Sequence, residues 1–367
     1  MTKNFDDVED DLGREAHIFA RLLFSFLQRV KDRTLGHTIF ANLSIVYRVA
    51  ILDLSVLNIS LHICAEKDAT NLAQRLLKNG AETNGLDFVG STPLHRAAEH
   101  GHVDVVRLLL DNHADVGIRD DLSRTPLHAA LLQKAKSSKE VVSLLVKRNV
   151  DIEAKDYKRQ TALCAAIRSG SLIIARYLLQ RGADVEAKFN NDAGGTLLFD
   201  AAGRGHKSGV QLLLDEGANI EAINKNGDIA LNVAVSRVGH SATQVLLEYH
   251  ANPRHSNFHG STALHLAVAS PSMSIARSLL EAGANVDATD NDGQSPLHRT
   301  VIEGEEVHER ILRLLIDHTA QVEIQDNDGN TPLHYAVLHE RLKWYGSFSA
   351  QKLICEHQIG KDRHHTK

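Results

Sequence analysis

A landmark returns along this chain about every 33 residues, and no other feature restricts the fold as strongly. Aligned on the tetrapeptide TPLH, equivalent positions fall at Ile59, Thr92, Thr125, Thr161, Thr196, Ile229, Thr262, Ser295 and Thr331, with gaps of 33, 33, 36, 35, 33, 33, 33 and 36. The exact tetrapeptide stands at 92–95, 125–128 and 331–334, with SPLH at 295, TALH at 262, TALC at 161 and IALN at 229. A second landmark keeps the same phase: LLKNGA at Leu76, LLDNHA at Leu109, LVKRNV at Leu145, LLQRGA at Leu178, LLDEGA at Leu213, LLEYHA at Leu246, LLEAGA at Leu279 and LIDHTA at Leu315. Two landmarks in step mean a tandem array of nine copies of one unit. A unit this small cannot bury both of its faces, so it gains stability by stacking on its neighbours.

Local chemistry explains the landmarks. The Thr92 oxygen can cap the free amides of a starting helix, and Pro93 forfeits no helical hydrogen bond while its ring presets φ. Leu94, Ala97 and Ala98 form an apolar stripe at helical spacing, small enough to admit a close neighbour. After a turn at Gly101 and His102, the residues Val105, Val106, Leu109 and Leu110 supply a second apolar face. The second helix needs a terminator. Gly80, Gly182, Gly217, Gly283 and Asn149 fill that slot with residues that tolerate a left-handed backbone. His113 and His250 are acceptable there, and Thr319 is the poorest fit. An extended segment such as residues 114–119 then leads into an Asx–Gly turn, predicting a hairpin-like finger.

Period and signature together resemble the ankyrin repeat family. The resemblance covers residues 56–357 and implies an all-α repeat solenoid of helix-turn-helix units with hairpin fingers, preceded by an N-terminal helical cap. It also implies that the motif histidine is a structural hydrogen-bonding residue between loops. Phe199, Cys164 and Asn232 replace that histidine in three central repeats, so an interruption of the network is expected there.

The carboxylates of DNDGNTPLH and its copies invite a metal reading, which the repeat itself answers. The position five before each motif threonine holds Asp87, Asp120, Asp156, Asn191, Asn224, Asn257, Asp290 and Asp326. These side chains bond nearby backbone amides in turns. Two residues on, the chemistry has no common theme, as suits an exposed fingertip. Of the 22 histidines, His62, His95, His128, His265, His298 and His334 occupy the motif, and His102, His206 and His240 follow the glycine between helices. No HExxH, CxxC or GxSxG occurs, so neither metal nor cofactor is expected.

Composition excludes further classes. A net charge of −5 with interspersed signs offers no broad footprint for nucleic acid. Three scattered cysteines, Cys64, Cys164 and Cys355, do not form a disulfide framework and suggest a reducing compartment. No apolar stretch is long enough to span a membrane, and MTKNFDDVEDD lacks the pattern of a signal peptide. An intracellular, cytoplasmic monomer is expected, with the nucleus left open.

Residues 1–55 fall outside the repeat. HIFARLLFSFLQRV (17–30) and HTIFANLSIVYRVAILDLSVL (37–57) read as two helices that either cap the array or dock a partner. Asp6, Asp7 and Asp10 read as an acidic helix start, against a magnesium-diphosphate motif. Extra residues at 133–139 and 303–309 read as loop insertions. Trp344, Tyr345 and Phe348 mark a terminal cap or a contact, and residues 358–367 form a basic tail.

The resemblance further implies that partners bind a groove made by first helices and fingers, through positions the motif leaves free. On this chain those include Arg96, Glu99, His100, Arg204, Arg237, Leu266, Arg299, Tyr335 and His339 on helices, with Lys158, Arg159, Phe189, Lys225, Phe258 and His259 on fingertips. An acidic peptide with apolar anchors would complement them. The expected function is a non-enzymatic scaffold or adaptor for protein partners. The alternatives are an enzyme or small-molecule binder using the N-terminal helices, and an inhibitor of a transcription regulator.

Overall fold

Wherever a motif threonine or serine precedes Pro or Ala, a helix starts at the next residue. A computed structural model describes residues 54–133, 138–188, 194–304 and 306–339. Among these, seventeen helices run in pairs, one pair per repeat. They are α1 (Leu54–Glu66), α2 (Thr70–Lys78), α3 (Pro93–His100), α4 (Val103–Asp111), α5 (Pro126–Ala129), α6 (Ser138–Val146), α7 (Ala162–Ser169) and α8 (Leu172–Gln180). Then follow α9 (Leu197–Gly203), α10 (Lys207–Asp215), α11 (Ala230–Ser236), α12 (His240–Glu248), α13 (Ala263–Ala269), α14 (Met273–Glu281), α15 (Pro296–Glu303), α16 (Glu306–Asp317) and α17 (Pro332–Leu338). Eight repeats show both helices, and the ninth shows its first. The chain divides into two compact units, Met1–Ala183 and Asp184–Lys367.

Within each unit first helices pack on first helices and second on second, α3 on α5 and α11 on α13 for example. The seam is the small apolar stripe read from the motif: Leu94, Ala97 and Ala98 in repeat 2, and Leu231, Ala234 and Val235 in repeat 6, are all sealed from solvent. The terminator slot behaves as its residue types require. Gly80, Gly182, Gly217 and Gly283 have φ near +90°, and His113, Asn149, His250 and Thr319 take φ between 56° and 64°. A left-handed residue there lets the next amide return to the helix, as Ala114 N does to Leu109 O at 3.0 Å.

Three details depart from the sequence reading. Repeat 1 begins without a break, α1 running from Leu54 through Ile59, because Ile59 has no side-chain oxygen at the cap position and Ser60 stands where most other repeats have proline or alanine. In repeat 8 the three extra residues extend the second helix to 12 residues where most have 9. Glu306 and Glu309 sit favourably in its first turn, and the buried His308 bonds Val268 O at 3.1 Å. In repeat 3 the first helix ends after Ala129 in a tighter turn, with Leu131 N bonding His128 O. The readings placed on residues 1–53 and 340–367, and on Phe189, lie outside the described residues.

Candidate interaction surface

The motif residues are wired inward. Thr92 N donates to His95 Nδ1 at 3.1 Å, which leaves the proton on Nε2, and Nε2 donates to Arg124 O of the next finger at 3.0 Å. The same chain of bonds joins His128 to Gln160 O, His265 to Gln294 O and His298 to Asn330 O. Burial holds all four of these rings below the usual histidine range, against the opposing pull of the accepted carbonyl and nearby carboxylates. His62 bonds Ser91 O in repeat 1. The interloop role implied for the motif histidine is therefore visible bond by bond. In repeats 5 and 6 that histidine tie is absent, since Phe199 has nothing to donate, and in repeat 4 the Cys164 Sγ accepts the Thr161 hydroxyl at 3.4 Å. The buried Asn232 amide has no hydrogen-bond partner at either atom.

Four of the turn aspartates, Asp87, Asp120, Asp290 and Asp326, are wired just as fully. Asp87 Oδ1 accepts from Val89 N and Ser91 N, and Oδ2 takes the Arg96 guanidinium at 2.6 Å. Desolvation works to raise its pKa, but the Arg96 bond, the two amides and the Arg96 charge together keep it below the ordinary carboxylate range. Asp290 repeats the arrangement with Arg299, and Asp326 with the Tyr335 hydroxyl at 2.7 Å. Both Asp326 oxygens are thus engaged by the protein itself. Among the described residues no cluster of three metal-ligating side chains occurs.

This wiring sorts the candidate residues. Arg96, Arg299 and Tyr335 brace the finger beneath them, and Glu99 lies 3.7 Å from Arg96. Arg204 Nε contacts both Asp200 oxygens at 2.9 Å. His100 bonds Arg96 O and stacks on His102, Leu266 is half-buried, and His339 is exposed and stacks on Tyr335. Lys158, Arg159, Lys225, Arg237, Phe258 and His259 stand exposed. Lys158 Nζ sits 5.2 Å over the Tyr157 ring, and Arg159 holds φ +59° where most fingers carry glycine. Lys158 and Arg159 belong to the first unit, and Arg204, Lys225, Arg237 and Phe258 to the second.

The fingers are zipped by backbone bonds from the residue after each turn Asp or Asn to the preceding finger: Asp121 N to Val89 O and Tyr157 N to Leu122 O in the first unit. In the second, Phe258 N reaches Asn226 O, Asn291 N reaches His259 O, and Asn327 N reaches Asp292 O. The donor's side chain lies back over the left-handed glycine of the finger before it. A Cβ at Gly227 would come within 2.6 Å of the Phe258 ring. That column also holds two exposed aromatics the motif analysis passed over, Phe88 (79% exposed) and Tyr157 (54%). Listing the residue one after each turn Asp or Asn, rather than two after, would have found them.

A helix-pair repeat that wires its motif inward and leaves fingertips variable defines a class of binding module. The profile of ankyrin repeats in three-copy blocks matches residues 61–156, 112–189, 198–290 and 264–363. The chain belongs to the ankyrin repeat family, whose repeats generally mediate protein–protein interaction. Curated relatives include the ankyrin repeat and KH domain-containing protein mask of Drosophila melanogaster, 39% identical over 92 residues, which are 25% of this chain and 2% of that protein. The B-cell lymphoma 3 protein homolog of Mus musculus is 37% identical over 89 residues, 24% of this chain and 20% of that one. The E3 ubiquitin-protein ligase XBAT32 of Arabidopsis thaliana is 37% identical over 83 residues, 22% and 16% respectively. The matched stretch spans a fifth or less of each of these relatives. Among the described residues no helix is long and apolar enough to cross a membrane.

Proposed function

We propose that this chain is a non-enzymatic scaffold or adaptor that holds protein partners against its fingertips and first helices. The observation that carries the reading is the division of labour within each repeat. The motif histidines and turn carboxylates are bonded internally, so they hold the backbone, while Lys158, Arg159, Lys225, Arg237, Phe258 and His259 project from a backbone already locked by its neighbours. Exposed aromatics lose little entropy on contact, which makes them effective anchors, and the cations beside them supply charge complementarity. An intracellular, reducing setting fits the buried thiols of Cys64 and Cys164; burial pushes the Cys64 thiol up to about 12, so it is not a nucleophile.

The test is affinity purification with mass spectrometry, comparing the full chain with a variant carrying Lys158→Glu, Arg159→Glu, Arg237→Glu and Phe258→Ala. A reproducible subset of partners should disappear. An identical set recovered by both proteins would remove the reading. The alternative of an enzyme built on Asp6, Asp7 and Asp10 rests on residues outside those described.

A further inference from the structure

Repeats 6 to 9, all within the second unit, carry a graded set of charges around one aromatic. Repeat 6 presents Lys225 on its fingertip and Arg237 at the end of α11, both exposed. Repeat 7 presents Phe258, 64% exposed. Repeats 8 and 9 present Asp292 and Asp328, two residues after their turn carboxylates and so one position further along the finger than Lys225 and Phe258, and Glu303 stands in the place on α15 that Arg237 takes on α11. The sign therefore reverses across Phe258 on the fingertips and again on the helix ends.

Two observations set these residues apart from an ordinary charged surface. Among the described residues no ion pair engages Lys225, Arg237, Asp292 or Asp328, whereas the neighbouring Asp290 and Asp326 are fully bonded. The finger backbone that carries them is also tied. Phe258 is pinned by its own amide to Asn226 O, by Asn291 Nδ2 on its carbonyl at 2.8 Å, and by the glycine under its ring. Asn327 Nδ2 ties the next fingers through Asn291 O at 2.8 Å.

We propose that this face docks a partner segment whose own charge is polarised: acidic where it crosses repeat 6, apolar over Phe258, basic where it crosses repeats 8 and 9. Charge complementarity commits the choice. A uniformly acidic segment would meet Asp292 and Asp328, and the phosphates of a nucleic acid would be repelled by the same groups. Neighbouring repeats stack at about 10 Å, so the face spans roughly 30 Å, about nine residues of extended chain. The reversal of sign also fixes the direction in which the segment lies. The inference rests on the protein-binding reading above and specifies its partner.

The test is selection of phage-displayed random dodecapeptides on the full chain, with enriched peptides resynthesised and titrated by fluorescence anisotropy. Enriched peptides should carry Asp or Glu at one end, a large apolar residue centrally, and Lys or Arg at the other end, in one consistent order. Phe258→Ala should weaken them at least tenfold. The swap Lys225→Glu, Arg237→Glu, Asp292→Lys, Asp328→Lys should do the same and instead favour peptides with the charge order reversed. If that chain melts early, the exposed pair Lys225→Glu with Asp328→Lys serves for the same readout. Peptides without a polarised order, affinities indifferent to the swap, or no enrichment overturn the proposal, as does a swap that abolishes oligonucleotide binding or self-association in its place. If selection fails while the multi-site variant still loses partners from lysate, only the partner's chemistry is wrong; if neither responds, both readings fall.

Discussion

Repeats 7 and 8 and repeats 5 and 6 follow the same backbone plan and are fastened differently. In the former pair, His265 and His298 each take the amide of their own cap residue and donate to the following finger at 3.0 and 3.1 Å. In the latter, Phe199 and Asn232 occupy that place. The Thr196 hydroxyl and both Asn232 amide atoms are buried without a partner. Repeat 5 compensates sterically: the residue before its cap is Gly195, and a Cβ there would come within 2.8 Å of the Phe199 side chain. Between repeats 6 and 7 the fingers take over the fastening, with Asn257 Nδ2 donating to Asp228 Oδ1 at 2.8 Å and His255 Nε2 to Gly227 O at 2.7 Å. The comparison teaches that the motif histidine is one way of tying a finger down, and that packing of the small-residue stripe tolerates its loss.

The largest effect should come from what the two pairs share. Leu213 is sealed in the core of repeat 5, and Leu213→Ala should cost about 2–5 kcal/mol through lost burial and a residual cavity. Urea unfolding measures it, and an unshifted midpoint would contradict the core placement. A smaller effect separates the pairs. His265→Ala removes a buried double tie and should cost about 1–3 kcal/mol, whereas Asn232→Leu relieves an unsatisfied amide and should be neutral or stabilising. Equal losses at both positions would dissolve the distinction.

The smallest effect is in the pH dependence. Burial depresses the His265 and His298 pKa values in the folded state. The unfolded chain therefore binds more protons once pH falls below about 6.5, the ordinary histidine value. Stability from these rings is fully present above that value and declines as pH drops toward the folded-state pKa. Urea midpoints should fall between pH 7.5 and 5.5, and by less in a His265→Asn, His298→Asn chain. A wild-type midpoint that rises on acidification would break the argument.

The array was legible because its determinants are local. A cap oxygen followed by Pro starts a helix, a left-handed slot ends it, and spacing of small apolar residues selects the buried face; Thr92, His113 and Ala97 each state their role within a few residues. Much less of the surface could be read. Arg96 and Arg204 look like free cations in a list of variable positions. Their carboxylate partners lie nine and four residues away, and only folded geometry shows one guanidinium bracing a turn and the other held against its own helix. Phe88 and Tyr157 were missed because one column of the finger looked as variable as the next until the backbone ladder showed which column faces out.

The sequence alone therefore determined the repeating unit, its register, its helix limits within a few residues and the family to which it belongs, because periodic short-range chemistry survives without a third dimension. Tertiary structure decided which charges are already neutralised, that the extra residues of repeat 8 lengthen a helix, and that Lys225, Phe258, Asp292 and Asp328 stand exposed on successive fingertips. Those properties depend on residues some 33 positions apart being brought side by side, and stacking, not sequence proximity, makes them neighbours.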